Sequence, residues 1–229
     1  MRPLTFCPFV LVAVLLGSLG SIAPAQGQAK KVKVGNNVCL EIDGESRRVL
    51  VESTVCLRKG MLEQLLTCKR TKEHEAILAA DVDARDIHQA LLLAKASAGS
   101  PVKFRPKFEL PRGDVVKITL QYEEKGKTIR VPAQQWIRNI KSMKDLDTDW
   151  VFAGSVLIPD PLDKKRPPYY GANDGDVICI SNFDTALLDV PFNSPKDNDD
   201  LAFEANTDRI PPMDTPVLVI LEPVPAKKK

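Results

Sequence analysis

Val38, Leu40 and Ile42 alternate with polar neighbours, an Asp43-Gly44 pair follows, and a β-branched run over residues 49–55 resumes the apolar pattern. Side chains switch faces at every residue of a strand, so two such runs about a D-G pair predict a β-hairpin. Residues 61–68 and 76–80 flank the polar stretch 69–75 and read as a second strand pair, although Leu62, Leu65 and Leu66 also suit a helix turn. The period then changes. Ile87, Ala90, Leu91 and Ala94 recur at helical spacing behind Asp81 or Asp83 as a cap, and Gly99 and Pro101 stop the run. This predicts one main helix over about 83–96.

Strand patterns dominate the remainder of the chain. Residues 115–122 and 128–131 about Gly126 predict another hairpin, 133–140 a short helix, and 150–158, 177–181 and 216–222 further strands. Eighteen prolines, mostly outside these runs, imply many fixed loops. With no internal repeat and no flexible linker, the expected fold is a single strand-rich α+β domain over residues 38–223, its main helix packed on an antiparallel or mixed sheet.

The ends of the chain change that picture. Arg2, an apolar stretch over residues 8–16 and the exit Ala23-Pro24-Ala25 form the order of a cleavable signal peptide, residues 1–25. Gly17, Ser18, Gly20 and Ser21 interrupt the apolar stretch short of the roughly 20 residues a membrane span needs. The chain is therefore expected to be exported, to the periplasm or beyond the cell, without a transmembrane segment after cleavage. A polar leader, 26–37, and a basic tail, 224–229, flank the domain. The formal net charge of +2 comes from interspersed charges, which gives no electrostatic footprint for nucleic acid.

Export also bears on the cysteines. Cys7 leaves with the signal, and Cys39, Cys56, Cys68 and Cys179 remain. Four allow two disulfides in three connectivities, or buried thiols, or ligands; no C-x-x-C is present to suggest a redox pair or a zinc ribbon.

Candidate chemistry centres on Lys72-Glu73-His74-Glu75. A histidine between carboxylates can act as a base or hold a metal, and His74, His88 and Cys68 are the candidate metal ligands. Against this stands a plain reading in which the segment fixes a turn. Glu73, His74 and Glu75, with Ser181 and Asn182 at a strand end, are the candidate ligand-binding residues. Ser181-Asn182 could equally cap a short helix over 183–187. Asp145, Asp147 and Asp149 alternate like a calcium loop, but Trp150 stands where that loop needs Gly and Val156 where it needs Glu. Asp197, Asn198, Asp199 and Asp200 read as a solvated loop, and Tyr169 and Tyr170 as a cover for the core rather than a binding ledge. Nucleophile elbow, P-loop and dinucleotide fingerprint are all lacking. No cofactor is predicted, a metal ion being the one the residues could hold.

Three stretches carry a resemblance: Cys56-Leu57-Arg58-Lys59-Gly60-Met61-Leu62-Glu63, Thr71-Lys72-Glu73-His74-Glu75-Ala76-Ile77-Leu78 and Asp86-Ile87-His88-Gln89-Ala90-Leu91-Leu92. With Trp150-Val151-Phe152-Ala153-Gly154-Ser155 and residues 175–183 and 207–216, the chain resembles exported members of the YdjY-domain family of bacterial proteins. The resemblance implies a single domain and supplies no activity. The expected function is thus a non-enzymatic binding or structural module of the cell envelope, with a partner protein, small ligand or envelope component. The alternative is a metal-binding or redox-associated protein using His74, His88 and cysteines.

Overall fold

A computed structural model describes residues 29–195 and 201–224. The expected signal peptide, Cys7, the start of the polar leader, residues 197–200 and nearly all of the basic tail lie outside the described residues.

The first hairpin forms as the pattern dictates. β2 (Val38–Asp43) pairs antiparallel with β3 (Ser46–Val55), and Gly44 turns the chain at φ 56. Ahead of them β1 (Lys30–Gly35), within the stretch read as leader, pairs with β2 and leaves Lys31 and Lys33 exposed on an outer strand. Lysines on an open edge discourage pairing with another chain. β4 (Gln64–Cys68) and β5 (Ala76–Ala80) are buried throughout and run parallel, and α1 (Ala84–Leu93) follows. Asp83 caps α1 by accepting from Arg85 N at 2.9 Å, and Lys95, at φ 70, ends it earlier than the apolar period alone suggests.

Two short strands, β6 (Ala98–Ser100) and β7 (Arg112–Gly113), precede the hairpin of β8 (Val115–Glu124) and β9 (Lys127–Pro132). The expected helix over 133–140 is a single 3-10 turn, Ala133–Trp136, continued by β10 (Ile137–Asn139). The expected strand 150–158 is divided into β11 (Trp150–Phe152) and β12 (Leu157–Ile158), because Gly154 and Ser155 take φ of 90 and 57 between them. β13 (Tyr169–Tyr170) pairs with β12, and β14 (Ile178–Cys179), β15 (Leu188–Asp189), β16 (Phe203–Ala205) and β17 (Pro216–Val224) complete the fold. Residues 183–187 form turns rather than the short helix that Ser181-Asn182 could have capped.

The α+β expectation is overturned. Strands hold 43% of the residues and helical segments 9%, and eight strands close into a barrel, which makes the fold mostly β. Closure comes from one short contact: Thr54 and Val55 of β3 pair with Ala79 and Leu78 of β5. The path β3-β17-β8-β11-β15-β14-β4-β5 then returns to its start. β3 is long enough to hold β2 along its first half and β5 at its end, so β1 and β2 flare away from the ring. α1 packs across β1, β2 and β3 and adds Ile87, Ala90 and Leu91 to the core that Val49, Val51, Leu66, Ile178 and Val219 line. The helix covers one side of a barrel instead of lying on an open sheet.

Candidate functional site

The segment 69–75 is shaped by a distance constraint. Parallel strands normally need a crossover of about a dozen residues or more, yet seven separate β4 from β5. Returning along a five-residue strand means covering about 16 Å, and seven extended residues reach about 23 Å. The connection therefore lies flat on the barrel wall. It is pinned there at both ends: Thr71 donates to Cys68 O at 2.6 Å, Lys69 N to Ala80 O at 2.8 Å, and Glu63 N to Glu75 O at 3.1 Å.

Beneath it, the alternation of β14 sends Ile178 into the barrel core and Cys179 outward, where Cys179 joins Phe183 and Ala186 in a small separate cluster. Polar groups share this outer layer. Lys72 Nζ lies 2.9 Å from Asp176 Oδ1, 3.8 Å from Glu75 Oε1 and 4.0 Å above the Phe183 ring. Gln64 Nε2 donates to Asp176 Oδ1 at 3.3 Å, and the Thr185 hydroxyl donates to Asp176 Oδ2. Glu63 hydrogen-bonds Glu75, and burial, followed by the Glu75 charge, pushes Glu63 up to about 7. Asp189 is fully buried on the same wall, and burial pushes it up to about 8. Two atoms of this layer, Gln64 Oε1 and Asp189 Oδ2, are buried without a partner.

The sequence-derived candidates fall in different places. Glu75 belongs to this cluster. Asn182 borders it: Nδ2 donates to Asp189 Oδ1 at 3.0 Å and Val190 O at 3.2 Å, and Oδ1 accepts from Ser194 N at 2.8 Å, so its polar atoms clasp its own loop. Ser181 is buried beside it, its N donating to Glu63 O at 3.0 Å. Glu73 caps the turn by accepting from Arg70 N. His74 points outward, its side chain 75% exposed and 3.5 Å from Glu75 Oε2. Cys39, Cys56, Cys68 and Cys179 are all free thiols, and burial pushes Cys56 and Cys68 up to about 12, which leaves little reactive thiolate.

His88 stands in a different setting from His74. Its Nδ1 is 2.7 Å from Tyr170 OH, and its ring meets Phe152 edge-on at 4.9 Å. The Tyr170 hydroxyl donates to Gly154 O at 2.9 Å, which fixes the Tyr170 ring beside His88. Burial lowers the His88 pKa and keeps the ring neutral. His88 and Tyr170 form the floor of a groove of about 510 Å³ whose walls are Leu92, Val156 and Leu157, with Arg85 and Gln89 at the rim. Tyr170 covers the core as expected, whereas Tyr169 is exposed beside the groove. Among the described residues, no three His, Cys, Asp or Glu side chains are grouped to hold a metal ion.

Beyond the groove the apolar surface continues. Leu157 is 64% exposed and Leu162 is 96% exposed. Asp160 holds the Leu162 loop in shape by accepting from Leu162 N at 2.8 Å, Asp163 N at 3.1 Å and Arg166 Nη1 at 2.9 Å.

The matching family model is that of the YdjY domain, over residues 40–222. The chain belongs to the YdjY domain family. No curated protein and no solved structure matches it. The match takes in seven strands of the barrel whole and β17 as far as Glu222, so the closed ring, the wall cluster around Lys72 and the His88 groove all belong to this YdjY domain. No helix among the described residues of the YdjY domain is long and apolar enough to cross a membrane.

The local signal missed by pattern reading was that of Leu157, Ile158 and Leu162 around Pro159 and Pro161: prolines this close end the strand at Ile158 and leave large apolar residues with little sheet to bury them. Lys72 and Asp176 carried no such signal, because 104 positions separate them.

Proposed function

We propose that this chain is an exported, non-enzymatic binding module whose partner is an uncharged, apolar segment of an envelope protein, seated in the His88 groove and across β12 and β13. The observation that carries this reading is a set of exposed apolar side chains on two adjoining grooves, Leu92 and Leu157 on one and Ile158, Leu162 and Tyr169 on the other. Patches of this kind mark interaction surfaces. Charge supports the choice of partner. Arg85 pairs with Asp83, Arg166 pairs with Asp160, and the acidic Asp163 and Asp174 offset the exposed Lys164 and Lys165. A face with balanced charge offers little to a polyanion or to an anionic bilayer and favours a neutral apolar segment. The Gln89 amide and the His88 imidazole give that segment's backbone hydrogen-bonding groups at the groove.

A photo-cross-linking side chain at Leu157, in the full chain within the producing cell, is expected to trap one discrete envelope protein identifiable by mass spectrometry. Adding Leu92→Asp is expected to reduce trapping about tenfold or more, since a buried leucine contributes about 1.5–3 kcal/mol. Equal trapping from Lys127 on β9, trapping of nothing but a second copy of this chain, or indifference to Leu92→Asp would each sink the reading.

A further inference from the structure

We propose that Lys72 and Asp176 condense into an intramolecular amide, a covalent tie between the β4–β5 connection and the segment that enters β14. The tie is independent of the binding groove: here the wall cluster is a place where chemistry is done on the chain itself.

Four features of the site bear on it. The reacting groups are in contact, with Lys72 Nζ 2.9 Å from Asp176 Oδ1, and their side chains are 23% and 4% exposed. Groups held at such a separation behave as if at very high effective concentration. The Phe183 ring covers one side of Nζ at 4.0 Å, and the Asp176 side chain is almost wholly buried. In bulk water hydration favours the ion pair over the amide; partial burial of the pair reduces that advantage. Both Asp176 oxygens already accept hydrogen bonds from neutral donors, Gln64 Nε2 and the Thr185 hydroxyl, which polarise the carboxyl carbon. Finally, Gln64 holds Asp176 through Nε2 alone, its Oε1 being buried and unpartnered in the same layer.

The step balances without an oxidant or cofactor. Asp176 holds Lys72 charged against the effect of burial, so the ion pair is the reactant. A proton first passes from Nζ to the Asp176 carboxylate along their hydrogen bond. The freed amine pair attacks Cγ, and the tetrahedral oxygens stay in the grip of Gln64 and Thr185. The Cγ–O bond then breaks as the proton held between Glu63 and Glu75 moves to the departing hydroxyl, while Nζ returns a proton to Glu75, 3.8 Å away. One Nζ–Cγ bond forms, one water leaves, and the acid pair is regenerated.

Intact mass spectrometry of the full chain, unfolded after purification, tests this directly. The wild type is expected to weigh one water less than its Lys72→Arg variant after correction for the substitution, a comparison in which any N-terminal processing cancels. A protease digest is expected to contain a single branched peptide joining Lys72 to Asp176. Glu63→Gln with Glu75→Gln is expected to leave an unlinked fraction that grows from a trace to the majority. Wild type at full mass after days of incubation between pH 6 and pH 9 overturns the proposal without reference to any variant. Loss of water with no branched peptide also overturns it, because an aspartate that closed on its own backbone would give the same mass.

Discussion

Replacing Trp150 with alanine is expected to destabilise the barrel by about 4 kcal/mol or more, the cost of emptying an aromatic site in a packed core with little room to relax. Trp150 is fully buried, and its Nε1 donates to Cys179 O at 2.8 Å. The three residues of β11 hold two neighbours at once: Trp150 and Val151 pair with Val116 and Val115 of β8, while Val151 and Phe152 pair with Asp189 and Leu188 of β15. A cavity at Trp150 therefore weakens the ring where its strands are shortest, and the Cys179 carbonyl is left buried without its donor, at a cost of about 1–3 kcal/mol. Urea unfolding followed by the fluorescence of the remaining Trp136 measures the effect. Trp150→Phe retains most of the volume and is expected to lose about half as much. Equal losses in the two variants would mean that the hydrogen bond, and not the packing, holds this joint.

The second large effect is a fall in stability as pH rises. Asp189 is buried, and burial pushes its carboxyl up to about 8, whereas an unfolded aspartate titrates near 3.9. Between those values the folded chain holds a proton that the unfolded chain has released. The contribution is therefore complete below pH ~4 and is lost as pH rises through about 8. Glu63, pushed up to about 7 by burial and by Glu75, acts in the same direction over a narrower window. Each group contributes a slope of about 1.4 kcal/mol per pH unit inside its window, and after relaxation of the site a total on the order of 3 kcal/mol is expected. Urea midpoints should accordingly be higher at pH 5.5 than at pH 8.5. Asp189→Asn keeps the oxygen that accepts from Asn182 and from Val190 N at 2.8 Å and removes the ionisation, so it should flatten most of the slope. An unchanged slope in that variant would assign the effect elsewhere.

Much of the local structure was legible. The β2–β3 hairpin follows from alternation about Asp43-Gly44, β8–β9 from Gly126, and the start of α1 from Asp83. The helix end was read too late, because the left-handed turn at Lys95 shows no residue with a marked preference for it. The fold class was misread for a related reason. A strand's pattern reports which side is buried, but the partner on its edge is chosen by backbone hydrogen bonds that carry no side-chain signature. Nothing in Thr54-Val55 or Leu78-Ala79 announces that they meet, and that meeting separates a barrel from an open sheet.

The candidate site shows the same division. Lys72-Glu73-His74-Glu75 stands out by composition, and the histidine drew attention. The structure turns His74 to solvent and sends Lys72 inward, since the short tether between two parallel strands presses the loop against the wall and leaves one face of it buried. By itself, then, the sequence determined the hairpins, the helix start, the cysteine count and the absence of familiar nucleotide and hydrolase motifs, all of which depend on residues within a few positions of one another. Tertiary structure alone decided that the ring closes, that His88 meets Tyr170, and that Lys72 meets Asp176. Those contacts join segments tens of residues apart, and their energies depend on burial, which exists only once the chain has folded.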